Sequence, residues 1–434
     1  MQELTQLLVL PSESNAESIR RMLKKVFELI VHGSPMTEKS AYFEEIAGEN
    51  MSQLDDMIVN ALLKRPVEDR EIVFSVTAGA PGTGKGTNIN AINETFRLLA
   101  HTAKENNKPL PRLLANMVES YTGKALSIVT GTGGMTNMPA GEYEELFGEF
   151  AKQLKEIVSA GGFVGNRMMS FAVKLMLLLR IAEGARKIQF DLWPRTVEQF
   201  DHFSELVQKL RMNGITIITD IVMLRLLTNS EITASLENKS EYVAVAGNVG
   251  QTIREKLKGE AYKPKIERVL QEENFSQKVE ELLSIVGKIM AEVKQQYVDN
   301  PAQLVILELE RALERMTYRL KKTLEVGETP RVDELPHTQL NRFTVFFGDT
   351  GPAFVQATDK VDITMVSSYQ SPSVVVKDIL RFGALKIEDG AIMTEEKELW
   401  NTIEEIGAEI AEKIVKKQTY SDEEYITKFN EVLS

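Results

Sequence analysis

VTAGAPGTGKGTNINAINETF, residues 76–96, is the stretch whose reading decides the fold. Upstream, EIVFSVTAG (71–79) is β-branched and apolar and runs into glycine, which reads as a buried strand. Downstream, NINAINETFRLLAHTAKEN has helical periodicity. A strand, a glycine-rich turn and a helix opening at Lys85 form the context in which a phosphate-binding loop works. Glycines let the backbone curl until several N–H groups converge on phosphate oxygens, and the helix adds the positive end of its dipole. Lys85 supplies a point charge for the β- and γ-phosphates. The general form G-x-x-x-x-G-K-[ST] has a hydroxyl directly after the lysine, reaching Mg²⁺. Here Gly86 follows Lys85, and the hydroxyl is displaced to Thr87.

Composition narrows what such a loop can serve. With 434 residues there is room for two to four structural units. An apolar fraction of 43% and a charged fraction of 26% belong to a globular protein. The net charge of −12 gives the chain as a whole no reason to seek nucleic acid or an anionic membrane. An acidic nucleotide binder must therefore gather its useful cations in one cleft. There is no cysteine, which removes disulfides, thiolate metal sites and cysteine nucleophiles. The N-terminus lacks a basic leader, and the most apolar run, residues 170–182, contains Lys174 and Arg180. That run is too short and too charged to span a bilayer, so a cytoplasmic protein is expected.

The expected fold is α/β: a P-loop NTPase-like parallel sheet flanked by helices. To it are added a helical subdomain, a large helical insertion and an N-terminal helical extension. Residues 1–68 read as that extension, with apolar positions at helical spacing. Residues 69–240 read as the core, including the helical subdomain at about 123–187. KIQFD (187–191) reads as a second buried strand ending in aspartate, and ITIITDIVMLRLL (215–227) as a third. Residues 241–328 are dense in Lys, Glu and Gln with spaced Leu, Ile and Val. They read as long, solvated helices, with an antiparallel pair turning around Asp299-Asn300-Pro301. Residues 329–434 show strand signals at FTVFF, FVQAT and GALKIEDG, then a closing helix.

Three motifs together resemble the nucleoside monophosphate kinases, adenylate kinases in particular. GAPGTGKGT (79–87) matches the family's G-x-P-G-x-G-K-G-[ST] at every fixed position. Phe190-Asp191-Leu192-Trp193-Pro194-Arg195-Thr196-Val197-Glu198-Gln199 resembles D-G-[FY]-P-R-T-x-x-Q, with Leu192 in place of the glycine. Arg331-Val332-Asp333-Glu334, followed eleven residues after Arg331 by Arg342, resembles R-x-D-D … R-L. The resemblance covers roughly residues 70–240 and 328–415. It implies that the helical subdomain at about 123–187 is the acceptor-binding subdomain, and that the ATP γ-phosphoryl group is transferred to a nucleoside monophosphate, most simply ATP + AMP = 2 ADP, with Mg²⁺ and no covalent intermediate.

The resemblance also implies roles. Lys85, Arg195, Arg331 and Arg342 would stabilise the transferring phosphoryl group, and Asp191 would organise Mg²⁺ through water or phosphate. Gly79, Gly82, Thr83, Gly84, Lys85, Gly86 and Thr87 would hold ATP, with Lys239 nearby and Asp389 and Gly390 bordering its adenine. Thr132, Gly133, Asn137, Val164, Arg195 and Gln199 would hold the acceptor. The chain departs from the pattern at Asn137, where the family has a phosphate-binding arginine, and at Gly134, where it has an aspartate. The helix NSEITASLENK lacks the two arginines expected near ATP, leaving Lys239 as its nearby cation. Two alternatives stay open: a kinase of the same fold with another acceptor, and a nucleotide-gated structural or partner-binding protein. In the latter, the helical extension and insertion would mediate self-association or partner binding.

Overall fold

A computed structural model describes residues 36–110, 114, 126–129, 165–182, 184–191, 193–328, 334–386 and 396–433. The chain is a mostly helical α/β protein built around a small parallel sheet flanked by helices. In chain order, α1 (Met36–Leu63) leads into β1 (Glu71–Gly79), which runs through the loop into α2 (Lys85–Glu105). Then come β2 (Leu126–Val129), α3 (Asn166–Ala182), β3 (Lys187–Asp191), α4 (Val197–Met212) and β4 (Thr216–Arg225). The helices α5 (Asn229–Glu237), α6 (Lys239–Lys258), α7 (Lys263–Leu270), α8 (Phe275–Gln296) and α9 (Asn300–Glu325) follow without an intervening strand. The chain finishes with α10 (Pro336–Val345), a π-helical turn (Phe346–Thr350), α11 (Gly351–Ala357), β5 (Ile363–Ser367), α12 (Pro372–Lys386), α13 (Lys397–Val415) and α14 (Asp422–Leu433).

The strand order is β2-β3-β1-β4-β5, all pairs parallel. The strand leading into the glycine loop is therefore central, with β3 on one side and β4 on the other. Parallel strands need helical crossovers, so both faces of the sheet are covered and the strands are apolar on both. The period-2 alternation sorts β4 cleanly. Ile221 and Met223 join a core with Phe74, Phe190, Phe203 and Trp193, while Val222 and Leu224 join the opposite core with Phe96, Val376, Trp400 and Ile403. The helix after β1 lies on the second face, against α12, α13 and α14. The helix after β3 lies on the first, with α3 and α11. Chain segments leaving the central strands thus part to opposite faces at their carboxyl ends, which is where open α/β sheets place ligands.

Several sequence expectations change here. FTVFF and FVQAT are not strands: they belong to α10, the π-helical turn and α11. Phe343, Phe346 and Phe347 recur at helical spacing, all buried, and Phe354 stacks edge-on against Phe200 at 4.8 Å. GALK (383–386) closes α12, and the remainder of that signal lies outside the described residues. The fifth strand is ITMVS (363–367), which the sequence reading passed over. The charge-laced helices 241–328 are not simply solvated. One face of α8 and α9, including Val279, Leu282, Ile289, Val305 and Leu309, is buried in the same core as β1 and β3. No helix among the described residues is long and apolar enough to cross a membrane.

Candidate functional site

The loop between β1 and α2 sits at the carboxyl edge of the sheet's central strand. Gly79 has φ +154°, and a Cβ there would lie 2.7 Å from Thr83 Oγ1 and 2.8 Å from the Leu224 carbonyl oxygen. Only glycine lets the loop fold back this tightly against β4. Thr83 locks the turn by donating its hydroxyl to the Ala80 carbonyl at 2.8 Å. Gly84, at φ +81°, is the residue before α2 and has no capping side chain. Nor does the first turn of α2 contain an acidic residue. The opening turn of this 21-residue helix thus has no side-chain cap, and the positive end of the helix dipole lies behind it. Lys85 starts that helix and donates to the Gly79 carbonyl, so its ammonium lies across the loop.

Asp191 closes β3. The pairing of Val76 with Phe190 puts Asp191 one step further along, beside Thr77 at the edge that leads into the loop. Immediately after it the chain turns through a cis Trp193–Pro194 bond. Trp193 is fully buried against Phe190 and Phe203 and donates its indole N–H to Ser170 Oγ at 3.2 Å. That anchor fixes the segment carrying Arg195 and Gln199. Thr196 caps α4 by accepting from the Gln199 N–H. Gln199 is buried, accepts from the Arg195 N–H at 2.8 Å and donates to Asn166 Oδ1 at 3.2 Å. Asn166 also accepts from the Thr196 hydroxyl at 3.0 Å. The N-termini of α3 and α4 are thereby joined through polar side chains, with Arg195 half-buried beside them.

The other sequence-derived candidates fall as follows. Lys239 begins α6, where it forms an ion pair with Asp359 and donates to Thr358 Oγ1 at 3.3 Å. These contacts engage its ammonium at the end of α11. Arg342 is exposed on α10, a helix packed on α6, α8 and α9. Arg331, Thr132, Gly133, Asn137, Val164, Asp389 and Gly390 lie outside the described residues.

Charge that motif reading missed arrives from α9. Glu308, Arg311 and Arg315, spaced so as to share one helical face, all meet the carboxyl edge of the sheet. Arg225, the last residue of β4, is wholly buried and donates to both oxygens of Glu308 at 2.8–3.1 Å, and to Tyr242 Oη at 2.6 Å. Burial opposes its charge, but the Glu308 carboxylate holds its pKa above the ordinary arginine value. Arg311 pairs with Glu231 at 2.6 Å and lies 3.8 Å over the ring of Tyr369. Arg315 donates to the Ser368 carbonyl at 2.6 Å and reaches the Gly82 carbonyl, inside the glycine loop, at 3.5 Å. Met316 lies against the same glycine, 3.4 Å from where its Cβ would be. The one signal that could have exposed this face was its i, i+3, i+7 spacing within a helix otherwise rich in exposed charge.

No protein-family model, no curated protein and no solved structure matches the chain.

Proposed function

We propose that this protein binds a nucleoside triphosphate on the 79–87 loop and transfers its γ-phosphoryl group to a nucleoside monophosphate, most simply AMP. The single observation that carries the reading is the strand–loop–helix unit at the centre of the sheet. Its glycine turn, its uncapped helix N-terminus and Lys85 together suit a polyphosphate. Phosphoryl transfer asks the protein mainly for positioning and charge neutralisation, and those are what this edge offers.

Lys85 would exchange the Gly79 carbonyl for phosphate oxygens, a stronger charge-assisted bond. Arg195, held at the start of α4 by the Gln199 contact, is placed to take the acceptor's phosphate as a guanidinium fork. Mg²⁺ takes few protein ligands, typically one or two carboxylates beside phosphates and water. Asp191 at the strand end and the Thr87 hydroxyl in the first turn of α2 are suited to that. Bound there, the ion would neutralise charge on the phosphates.

The test is a phosphoryl-transfer assay with ATP and Mg²⁺ against AMP, GMP, CMP, UMP and their deoxy forms. Diphosphate formation, lost in Lys85→Ala, is the expected outcome. ATP binding with no transfer to any acceptor would instead favour a nucleotide-gated, partner-binding protein. Two observations favour that second reading: Lys239 is engaged away from the loop, and α9 lies directly on it.

A further inference from the structure

Three arginines converge on the carboxyl edge of the sheet, and two of them meet a carboxylate. Arg225 has Glu308 and Arg311 has Glu231. Among the described residues Arg315 hydrogen-bonds only the carbonyl oxygens of Gly82 and Ser368, and no carboxylate pairs with it. Burial pushes its pKa below the ordinary arginine value, with only Tyr369 opposing. A half-buried guanidinium that meets neutral acceptors alone is short of negative charge. This one lies against the backbone of a loop whose N–H groups and helix dipole also favour an anion.

We propose that Arg315 is a phosphate-binding residue: its guanidinium contacts the phosphate chain of a nucleoside di- or triphosphate seated on the 79–87 loop. The inference rests on the reading that this loop binds nucleotide. In the bound state the Gly82 contact, already at the limit of hydrogen-bond length, gives way to phosphate oxygens, while the Ser368 carbonyl keeps the fork oriented. Planar, paired donors of arginine fit phosphate geometry, and a charge-assisted bond exceeds one to a neutral carbonyl. The cation comes from α9, not from the α5 helix, which contains no arginine. The helical segment 241–328 would then complete the phosphate site as well as cover it.

The experiment is ATP and ADP titration by calorimetry on wild type, Arg315→Gln, Arg315→Lys and Lys85→Ala, each checked for an unchanged melting transition. Glutamine keeps amide donors for the two carbonyls and removes the charge, so a merely structural role leaves affinity unmoved. The expected result is a loss of about 10- to 100-fold in affinity for Arg315→Gln. Part of that loss returns in Arg315→Lys, and the salt dependence of ATP binding is shallower in Arg315→Gln. A folded Arg315→Gln that binds ATP and ADP within threefold of wild type overturns the proposal. Wild type that binds neither nucleotide overturns the reading of the loop itself, and the proposal with it. If Arg315→Gln does not fold, Arg315→Lys against wild type decides by the same threefold criterion.

Discussion

Two charged regions lie two turns apart on α9 and are built in opposite ways. At Glu308 the helix meets Arg225 with neither side chain exposed, and Tyr242 adds a third polar partner. At Arg315 the guanidinium meets two carbonyl oxygens, that of Gly82 in the glycine loop and that of Ser368 after β5. The first region is closed: every charge there has its counter-charge, and the pair clamps the helical segment to the end of β4. In the second, no carboxylate among the described residues pairs with the arginine. A buried ion pair contributes little net stability over an apolar contact, but losing one partner strands the other. The difference gives one end of the helix face a clamp and leaves the other for the binding role we propose.

The comparison breaks most visibly at the clamp. Glu308→Ala leaves Arg225, which cannot shed its proton, buried without a counter-charge, and a loss of about 3–5 kcal/mol in urea unfolding is expected. Arg315→Gln, by contrast, should change stability by under about 1 kcal/mol, because only bonds to neutral carbonyls are altered. Equal losses in the two variants would erase the distinction between clamp and site.

A second buried pair sharpens it. Lys174 on α3 and Asp55 on α1 meet at 2.7 Å with side chains 0% and 5% exposed. Burial pushes the lysine pKa down and the aspartate pKa up, each opposed by its partner. In Asp55→Asn the lysine can neutralise itself, so the loss should be smaller than for Glu308→Ala, on the order of 2 kcal/mol. That loss should shrink further as pH is raised, which denaturation between neutral and alkaline pH would check.

At the loop, Gly84→Ala places a Cβ at φ +81°, at a cost of roughly 1–2 kcal/mol in stability. Nucleotide affinity should fall further than that if the loop's curl is what binds phosphate. Melting curves with and without ATP separate the two effects.

The smallest effect is in pH. His202 is pushed below its ordinary value of 6.5 by burial and then by Lys174, and His337 by burial. Below pH 6.5 the unfolded chain binds protons that the folded one does not, so stability is present above that pH and falls as pH drops through it. Replacing both histidines with glutamine should flatten urea midpoints between pH 7 and pH 5.5, above the range where carboxylates dominate.

Much of the candidate site was legible because its signals are local. Glycine–lysine spacing after an apolar run, and KIQFD ending in aspartate, depend on neighbours within a few residues. β5 was not legible: ITMVS is five residues long and less apolar than FTVFF, whose phenylalanines look equally strand-like without a partner to pack on. The α9 arginines failed for a different reason. On a helix this dense in charge, nothing but their i, i+3, i+7 spacing separates Glu308, Arg311 and Arg315 from Glu314 or Arg319.

The sequence by itself determined the strand, the glycine turn and the helix that opens at Lys85, since backbone freedom, hydrogen-bond periodicity and the helix dipole act at short range. Only the tertiary structure decided that β1 is central, that α9 lies across the loop and which of its arginines meets a carboxylate among the described residues. Those outcomes depend on contacts between residues more than 80 apart, such as Arg225 with Glu308 and Gly82 with Arg315, and on burial, which strengthens an unbalanced charge only once water has been removed.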